Sequence, residues 1–184
     1  MPVPNAPGLL PTPDRVRETL FNWLAHLLPD LSHVQGLDLF AGTGALGFEL
    51  ASRGAARVIL IEQNAQLAKQ LIQSKARLGA THLQIMQGNA LSVAPSLPAA
   101  AFHVVFIDPP YGAGLTDTAL TLARRLLHPD GLIYLEAAQA LSPAQCADHA
   151  LRLVRTGRAG AVHFHLLAPE AAPTATPNAH TDHR

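Results

Sequence analysis

The sequence predicts an α/β fold, a doubly wound and mostly parallel sheet followed by an antiparallel hairpin at the C-terminal end. Three observations predict it. Short apolar runs alternate with amphipathic helical patterns between about residues 36 and 136, and parallel strands need such crossover helices. A glycine-rich turn, GTGALG, follows the first apolar run. Near the end, two strand patterns flank the segment GRAG, which is typical of a hairpin.

The elements are predicted in chain order from periodicity and turn signals. A helix over 12–28 can be capped by Thr12, begins with Pro13, and repeats apolar residues from Val16 to Leu27 at spacings of three and four. Strands are predicted over 36–40, 57–62, 83–87, 102–107 and 131–136, and helices over 45–53, 65–78, 117–127 and 143–149. Strands over 151–156 and 161–168 complete the hairpin. We therefore expect a folded domain over 14–168, preceded by an extended proline-rich arm over 1–13 and followed by a disordered tail over 169–184.

The composition excludes several classes of protein. Of the 184 residues, 48% are hydrophobic and 14% charged, which excludes a charge-rich disordered chain. No apolar run is long enough to span a membrane, and MPVPNAPG lacks the pattern of a secretory signal. The one cysteine, Cys146, cannot form an internal disulfide. We expect a cytoplasmic monomer.

The net charge is zero, which counts against a protein that holds nucleic acid by bulk electrostatics. The basic residues are nevertheless grouped along the chain. Arginines occur together at Arg15 and Arg17, at Arg124 and Arg125, and at Arg152, Arg155 and Arg158. Either these groups form a local binding surface or they are ordinary solvated charge.

The glycine-rich turn fits two classes of ligand. Gly42, Gly44 and Gly47 lie between a predicted strand and a helix, where the backbone can approach a dinucleotide or S-adenosylmethionine. Asp38 favours S-adenosylmethionine, because a carboxylate accepts hydrogen bonds from an ammonium group and repels a pyrophosphate. Its alternative role is to bond nearby backbone at the strand end.

Two further positions fit the remaining parts of such a ligand. Glu62 ends the second strand, where a carboxylate can take both hydroxyls of a ribose. Asn89 and Ala90 follow the third strand and could meet an adenine edge, although Asn89 is equally suited to a plain turn.

The segment FIDPPYG ends a buried strand with a rigid group of acceptors. Pro109 and Pro110 fix the backbone, so the Asp108 side chain and the Pro109 carbonyl keep one arrangement. Two adjacent acceptors suit an exocyclic amine, whose lone pair they could direct at the methyl group of a sulfonium. Tyr111 could stack on the base that carries the amine. Guanine and adenine both offer such an amine, so the turn does not choose the base.

Four motifs carry a resemblance to known proteins. DLFAGTGALG, IEQN, GNA and DPPYG have the order and spacing of Rossmann-like class I S-adenosylmethionine-dependent methyltransferases that act on exocyclic amines. The opening stretch TPDRVRETLFNWL resembles the start of the RsmD family, bacterial methyltransferases of guanine N2 in 16S rRNA. The resemblance covers most of residues 2–136.

The resemblance implies a role for each matching residue. The S-adenosylmethionine ligands would be Asp38, Phe40, Ala41, Gly42, Gly44, Glu62, Asn89, Ala90 and Thr12. Asp108, Pro109, Pro110 and Tyr111 would be the catalytic turn that holds the guanine, and Arg15 and Arg17 would lie near the RNA. The implied partner is 16S rRNA within the 30S subunit or an assembly intermediate, and no metal is expected.

Three alternatives stay open: an adenine-N6 methyltransferase, a nicotinamide-dependent oxidoreductase that uses the glycine turn, and a non-catalytic assembly factor that binds S-adenosylmethionine or RNA. Members of the family usually carry a basic, β-rich segment ahead of the PVP-like stretch at which this chain begins, and often Arg where Leu10 stands. A misassigned start codon or a truncation would account for the zero net charge.

Overall fold

The computed structural model describes residues 14–171. The elements are α1 (Asp14–Leu27), β1 (Gln35–Asp38), α2 (Ala45–Ser52), β2 (Arg57–Glu62), α3 (Ala65–Leu78), β3 (Leu83–Gln87), α4 (Ala90–Val93), β4 (Phe102–Ile107), α5 (Thr116–Leu126), β5 (Leu127–Ala137), α6 (Pro143–Ala147), β6 (Leu151–Ala159) and β7 (Val162–Pro169). A single turn of 3₁₀-helix, Ala94–Ser96, follows α4. The predicted arm over 1–13, and the part of the predicted tail beyond Ala171, lie outside the described residues.

The strands form one sheet of seven in the order β3-β2-β1-β4-β5-β7-β6. The first five strands along the chain are parallel, and β7 runs antiparallel to both β5 and β6. The strand order reverses between β1 and β4, and in open α/β sheets ligands bind at such a switch point, outside the carboxyl ends of the strands. The doubly wound fold and the closing hairpin are confirmed.

Helices cover both faces of the sheet and define two apolar layers. On one face, α1, α2 and α3 contribute Leu24, Leu50 and Leu71 to a buried cluster with the sheet. On the other face, α5 and α6 contribute Leu120 and Cys146 to a second cluster. The alternation of apolar residues in each strand supplies one side chain to each layer in turn.

Helix α1 packs its apolar face on the sheet, as its periodicity predicts. Phe21 meets Phe106 of β4 with ring centroids 6.2 Å apart, and Trp23, the only tryptophan of the chain, lies 5.4 Å from Phe164 of β7. The helix therefore bridges a central parallel strand and the antiparallel hairpin.

Several elements differ from their predicted bounds, most by one to three residues at an end. β1 ends at Asp38 rather than at residue 40. The Leu39 N–H still donates to the Phe106 carbonyl of β4 at 3.1 Å. The chain then turns away from β4, and the Ala41 N–H donates instead to the Ile61 carbonyl of β2. β5 begins at Leu127, and an irregularity follows before its regular pairing with β4 resumes at Leu132. The short helix α4 was not predicted.

The hairpin is tighter than predicted. The segment GRAG was expected to form the connection, whereas Gly157 lies within β6 and the turn is made by Gly160 and Ala161. Gly157 sits directly opposite Phe164, and a Cβ there would overlap the phenyl ring. The glycine is present for close packing of an aromatic ring and not for a turn.

Candidate active site

Acidic residues occur at the same edge of the sheet, at or next to the end of four parallel strands. They are Asp38 on β1, Glu62 on β2, Asp108 after β4 and Glu136 on β5. The parallel registers align these strand ends, since Asp38 pairs with Leu60 and with Phe106, and Ile107 pairs with Leu135. Three of the four were predicted as site residues.

The glycine turn enters α2 through left-handed backbone. Gly44 is the residue before the helix, with φ of 80°, and its N–H donates to the Ala41 carbonyl at 2.7 Å. A Cβ at Gly44 would lie 2.5 Å from Leu71 Cδ2. Only glycine meets both the backbone and the packing requirement at this position.

Glu62 links the glycine turn to the start of α3. Its Oε2 accepts the Gly42 N–H at 2.7 Å, and its Oε1 accepts the Asn64 N–H at 2.7 Å. Each carboxylate oxygen has a further lone pair, so these bonds orient the group and leave it able to accept hydroxyls. This geometry suits the predicted ribose contact.

Asp38 is almost fully buried, with 2% of its surface exposed. Burial raises the pKa of this carboxyl to about 7, against the lowering effect of hydrogen bonds from the Gly47 and Phe40 N–H groups. The negative charges of Glu62 and Glu136 raise the pKa further. Asp38 therefore accepts the nearby backbone hydrogen bonds that were its alternative role. Because its pKa is nevertheless raised, a positively charged partner would stabilise the ionised carboxylate.

The predicted adenine-side residues lie at the start of α4. The exposed side chain of Asn89 accepts the Leu91 N–H at 2.9 Å and caps the helix, and Ala90 is buried. The Gly88 N–H donates to the Glu62 carbonyl oxygen at 3.0 Å, which attaches this segment to the end of β2. Phe40 is half-buried and Ala41 buried beside the glycine turn.

The segment Asp108–Tyr111, which we call the DPPY turn, forms one wall of a cleft of about 110 Å³. Asp108 and Pro109 are half-buried, whereas the Tyr111 side chain is 63% exposed. Glu136, Ala137 and Ala138 at the end of β5 and Val162 of the hairpin also line this cleft. The exposed ring beside the cleft is in keeping with the predicted stacking role of Tyr111.

The sequence reasoning missed Tyr134 and Glu136. The Tyr134 hydroxyl donates to Glu136 Oε1 at 2.8 Å, and both side chains are buried. Burial, followed by the negative charges of Glu136 and Asp108, raises the pKa of Tyr134 well above its usual range. The available signal was positional, because IYLEA ends an apolar run with an acid, as the segments that contain Asp38, Glu62 and Asp108 do.

Some predicted residues lie apart from the cleft. Arg15 is exposed on α1, and Arg17 pairs with Asp14 at 3.1 Å; neither lines the cleft. Thr12 lies outside the described residues. Within residues 14–171, no three side chains of His, Cys, Asp or Glu converge as metal ligands. No helix in the same range is long and apolar enough to cross a membrane.

Comparison with known proteins identifies relatives over most of the chain. Residues 1–168 match the family described as Conserved hypothetical protein 95. Ribosomal RNA small subunit methyltransferase D of Escherichia coli is 44% identical over 139 residues, which cover 74% of this chain and 68% of that protein. The Haemophilus influenzae protein of the same name is 40% identical over 141 residues, covering 74% of this chain and 72% of its own length.

A solved structure gives the same result. The Escherichia coli protein yhhF superposes with a TM-score of 0.77 at 38% identity, covering 94% of this chain and 92% of that one. Because the curated relatives are named as methyltransferases, the two ligand classes left open by the glycine turn are decided in favour of S-adenosylmethionine. The chain belongs to the RsmD family of S-adenosylmethionine-dependent rRNA methyltransferases.

Proposed function

We propose that this protein methylates the exocyclic N2 of a guanine in 16S rRNA, acting as a monomer in the cytoplasm on the 30S subunit or an assembly intermediate. The observation that carries the proposal is the juxtaposition, at one edge of the sheet, of the buried Asp38 and glycine turn with the DPPY turn. Asp38 and the glycine turn suit a cofactor with a cationic amino-acid end. The DPPY turn suits a base with an exocyclic amine.

The residues at the end of β1 and β2 fit S-adenosylmethionine in their chemistry. Asp38 would accept the ammonium of its amino-acid end, and Glu62, oriented by the Gly42 and Asn64 N–H groups, would accept the ribose hydroxyls. Asn89 and Ala90 would meet the adenine edge. When bound, the cofactor supplies an electrophilic methyl group on a positively charged sulfur.

The DPPY turn acts on the amine. In guanine the N2 lone pair is delocalised into the ring, which makes N2 a weak nucleophile. Hydrogen bonds from its two N–H groups to the Asp108 carboxylate and the Pro109 carbonyl would fix the amine and turn its lone pair toward the methyl group. As N2 takes the methyl group that the bound cofactor would supply, the bond from that methyl group to sulfur would break, and N2 would release one proton to Asp108 or solvent. Tyr111 would stack on the extruded base.

The location of basic residues supports an RNA partner despite the zero net charge. The hairpin formed by β6 and β7 contains Arg152, Arg155 and Arg158, all exposed, and no acidic residue between Leu151 and Pro169. Its tip borders the cleft through Val162. Arg158 pairs with His163 next to that tip and would bring positive charge near the cleft, whereas Arg152 pairs with Ala168 at the other end of the hairpin.

The proposal is tested by locating the transferred methyl group. The full chain is incubated with S-adenosylmethionine carrying a labelled methyl group and 30S particles from a strain that lacks the family's modification, and the labelled nucleotide is mapped. We expect label on N2 of one guanine in 16S rRNA. Particles from the parent strain, which already carry the methyl group, are the control and should take no label there.

Label on the N6 of an adenine would contradict the choice of base. Absence of transfer, with the cofactor bound and the particles intact, would contradict the proposed reaction.

A further inference from the structure

Glu136 lies at the end of the strand next to the DPPY turn. β4 and β5 are parallel neighbours with Phe106 opposite Tyr134 and Ile107 opposite Leu135. Continuing that register places Asp108 beside Glu136, at a strand separation of about 4.8 Å. Both residues line the cleft.

The Glu136 carboxylate is held in one orientation. The Tyr134 hydroxyl donates to its Oε1 at 2.8 Å, and the Tyr134 ring is fixed in turn by edge-on packing against Phe106, with centroids 6.3 Å apart. The raised pKa of Tyr134 keeps its hydroxyl protonated and therefore able to donate. Only 8% of Glu136 is exposed, and the residue lines the same cleft as the DPPY turn.

The atoms next to the reacting amine differ between the two candidate bases. The 2-amino group of guanine is flanked by N1–H, a hydrogen-bond donor, and by N3, an acceptor. The 6-amino group of adenine is flanked by N1 and N7, both of which are acceptors. A carboxylate on one side of the amine can therefore accept a hydrogen bond from N1–H of guanine, whereas adenine presents a lone pair on either side.

We propose that Glu136, held by Tyr134, accepts a hydrogen bond from N1–H of the target guanine and so selects guanine over adenine. This inference rests on the proposed function and names the group that chooses the base, which the DPPY turn by itself does not do. Glu136 is then a substrate-contacting residue, and Tyr134 is a positioning residue that acts through it.

The test uses a base that keeps the amine and lacks the N1 proton. Small-subunit particles are assembled with 2-aminopurine in place of the target guanine, at the nucleotide mapped above. For the wild-type chain we expect kcat/KM on 2-aminopurine to be lower than on guanine by about 5- to 150-fold, the range for a lost and reversed hydrogen-bond contact to a base. The variant Glu136→Gln, whose amide can donate to N1, should reduce or invert that ratio.

Two controls separate selection of the base from damage to the site. At pH 8, where Asp38 is ionised with or without the charge of Glu136, Glu136→Gln should bind S-adenosylmethionine within about threefold of wild type, because the proposed cofactor residues lie on β1, on β2 and at the start of α4. Tyr134→Phe keeps the Glu136 carboxylate and removes the hydroxyl that donates to it. This variant should lower kcat on guanine. It should reduce the preference for guanine over 2-aminopurine, but by less than Glu136→Gln does. Urea denaturation checks that both variants fold.

The outcomes are distinguishable from failure of the proposed function itself. If the wild-type chain does not methylate guanine, the proposed function fails. If it does, and Glu136→Gln retains the full wild-type preference for guanine over 2-aminopurine, the role of Glu136 is overturned.

Discussion

Asp108 and Pro109 supply two hydrogen-bond acceptors from adjacent positions of one stiff turn. Neither proline offers a backbone N–H, and each ring fixes its own φ and restricts the preceding residue. The arrangement is built before a substrate arrives, so little ordering is required at the moment of reaction.

Removal of the Asp108 carboxylate should therefore affect the reaction and not cofactor binding. We expect Asp108→Ala to lower kcat by about 10²- to 10³-fold or more, the usual effect of deleting one preorganised polar contact to the reacting group. The affinity for S-adenosylmethionine, measured by isothermal titration calorimetry, should stay within a few-fold of wild type. Asp108→Asn is the matched control for shape. A large loss of affinity in either variant would make Asp108 a cofactor ligand.

At the residue scale, strand position, more than residue type, predicted which acidic side chains lie at this edge of the sheet. Asp38, Glu62 and Asp108 could be named because each ends an apolar run beside a recognisable turn. Glu136 ends an equally apolar run, but no motif follows it, and its pairing with Tyr134 depends on side chains two residues apart on one face of a strand. The predicted roles of Arg15 and Arg17 come only from the family resemblance of the stretch that forms α1, and they stay a prediction.

Among the elements, the glycine turn is the one whose backbone depends most on a single residue. We expect Gly44→Ala to lower the free energy of unfolding by about 2–4 kcal/mol, because φ of 80° strains alanine and the added Cβ meets Leu71. Gly79→Ala is the control: its φ is also positive, at 62°, but a Cβ there meets nothing within 4 Å. That variant should lose only about 1 kcal/mol.

Urea denaturation of the two variants measures the difference. Equal losses would mean that Leu71 gives way at no cost and that the requirement for glycine is one of backbone conformation alone.

The hairpin is the element expected to hold the RNA. The double variant Arg155→Glu, Arg158→Glu reverses two charges on the hairpin. We expect it to lower kcat/KM for 30S particles by about tenfold or more, because contacts to phosphates are lost. For the same reason, kcat/KM should depend less on salt concentration. Binding of S-adenosylmethionine should not change. The matched control is Lys69→Glu with Arg77→Glu on α3, which makes the same change of net charge on exposed residues. Equal losses in both double variants would refute a specific role for the hairpin.

Periodicity predicted the regular elements well and the irregular ones poorly. The bounds of β2, α3, β3 and β4 match the apolar patterns, because each is bracketed by turn residues. The start of β5 was missed because HPDG reads as a turn, whereas Leu127 ahead of it still pairs with Phe102. The GRAG pattern predicts a turn that includes Gly157, because the pattern does not show the Phe164 ring, which packs on Gly157 from the partner strand.

At the scale of the whole molecule, burial of Asp38 links pH to stability. Its pKa is about 7 in the folded chain, against an ordinary value of 3.8, so the folded state binds a proton that the unfolded state releases. The contribution of protonated Asp38 to the free energy of unfolding is complete below pH 3.8, declines by about 1.4 kcal/mol per pH unit toward pH 7, and is constant above pH 7.

His165 acts in the opposite direction. Burial lowers its pKa below 6.5, so its contribution to the free energy of unfolding is complete above pH 6.5 and is lost as pH falls.

Comparison with Asp38→Asn isolates the Asp38 contribution, because both chains retain His165. The free energy of unfolding of wild type, relative to Asp38→Asn, should fall by about 2 kcal/mol between pH 5.5 and 7. It should then change little up to pH 8. A difference that does not vary with pH would show that Asp38 is ionised throughout.

The same proton couples the stability of the chain to its cofactor. The ammonium of S-adenosylmethionine favours the ionised carboxylate, so affinity should rise as pH increases from 5.5 to 7. The analogue 5′-methylthioadenosine, which lacks the amino-acid end, should show no such rise in the same calorimetric titration. A parallel rise for both ligands would assign the titration to another group.

The packing of α1 also gives the protein an optical reporter. Trp23 is the only tryptophan, and its indole contacts Phe164, which pairs directly with Glu136 across β5 and β7. Fluorescence excited selectively in the indole therefore comes from Trp23 alone. Its contact residue, Phe164, is the strand partner of Glu136, which lines the cleft. Changes in the wavelength or intensity of that emission on adding RNA would record movement at the junction of the first helix and the hairpin, in the native chain and without a label.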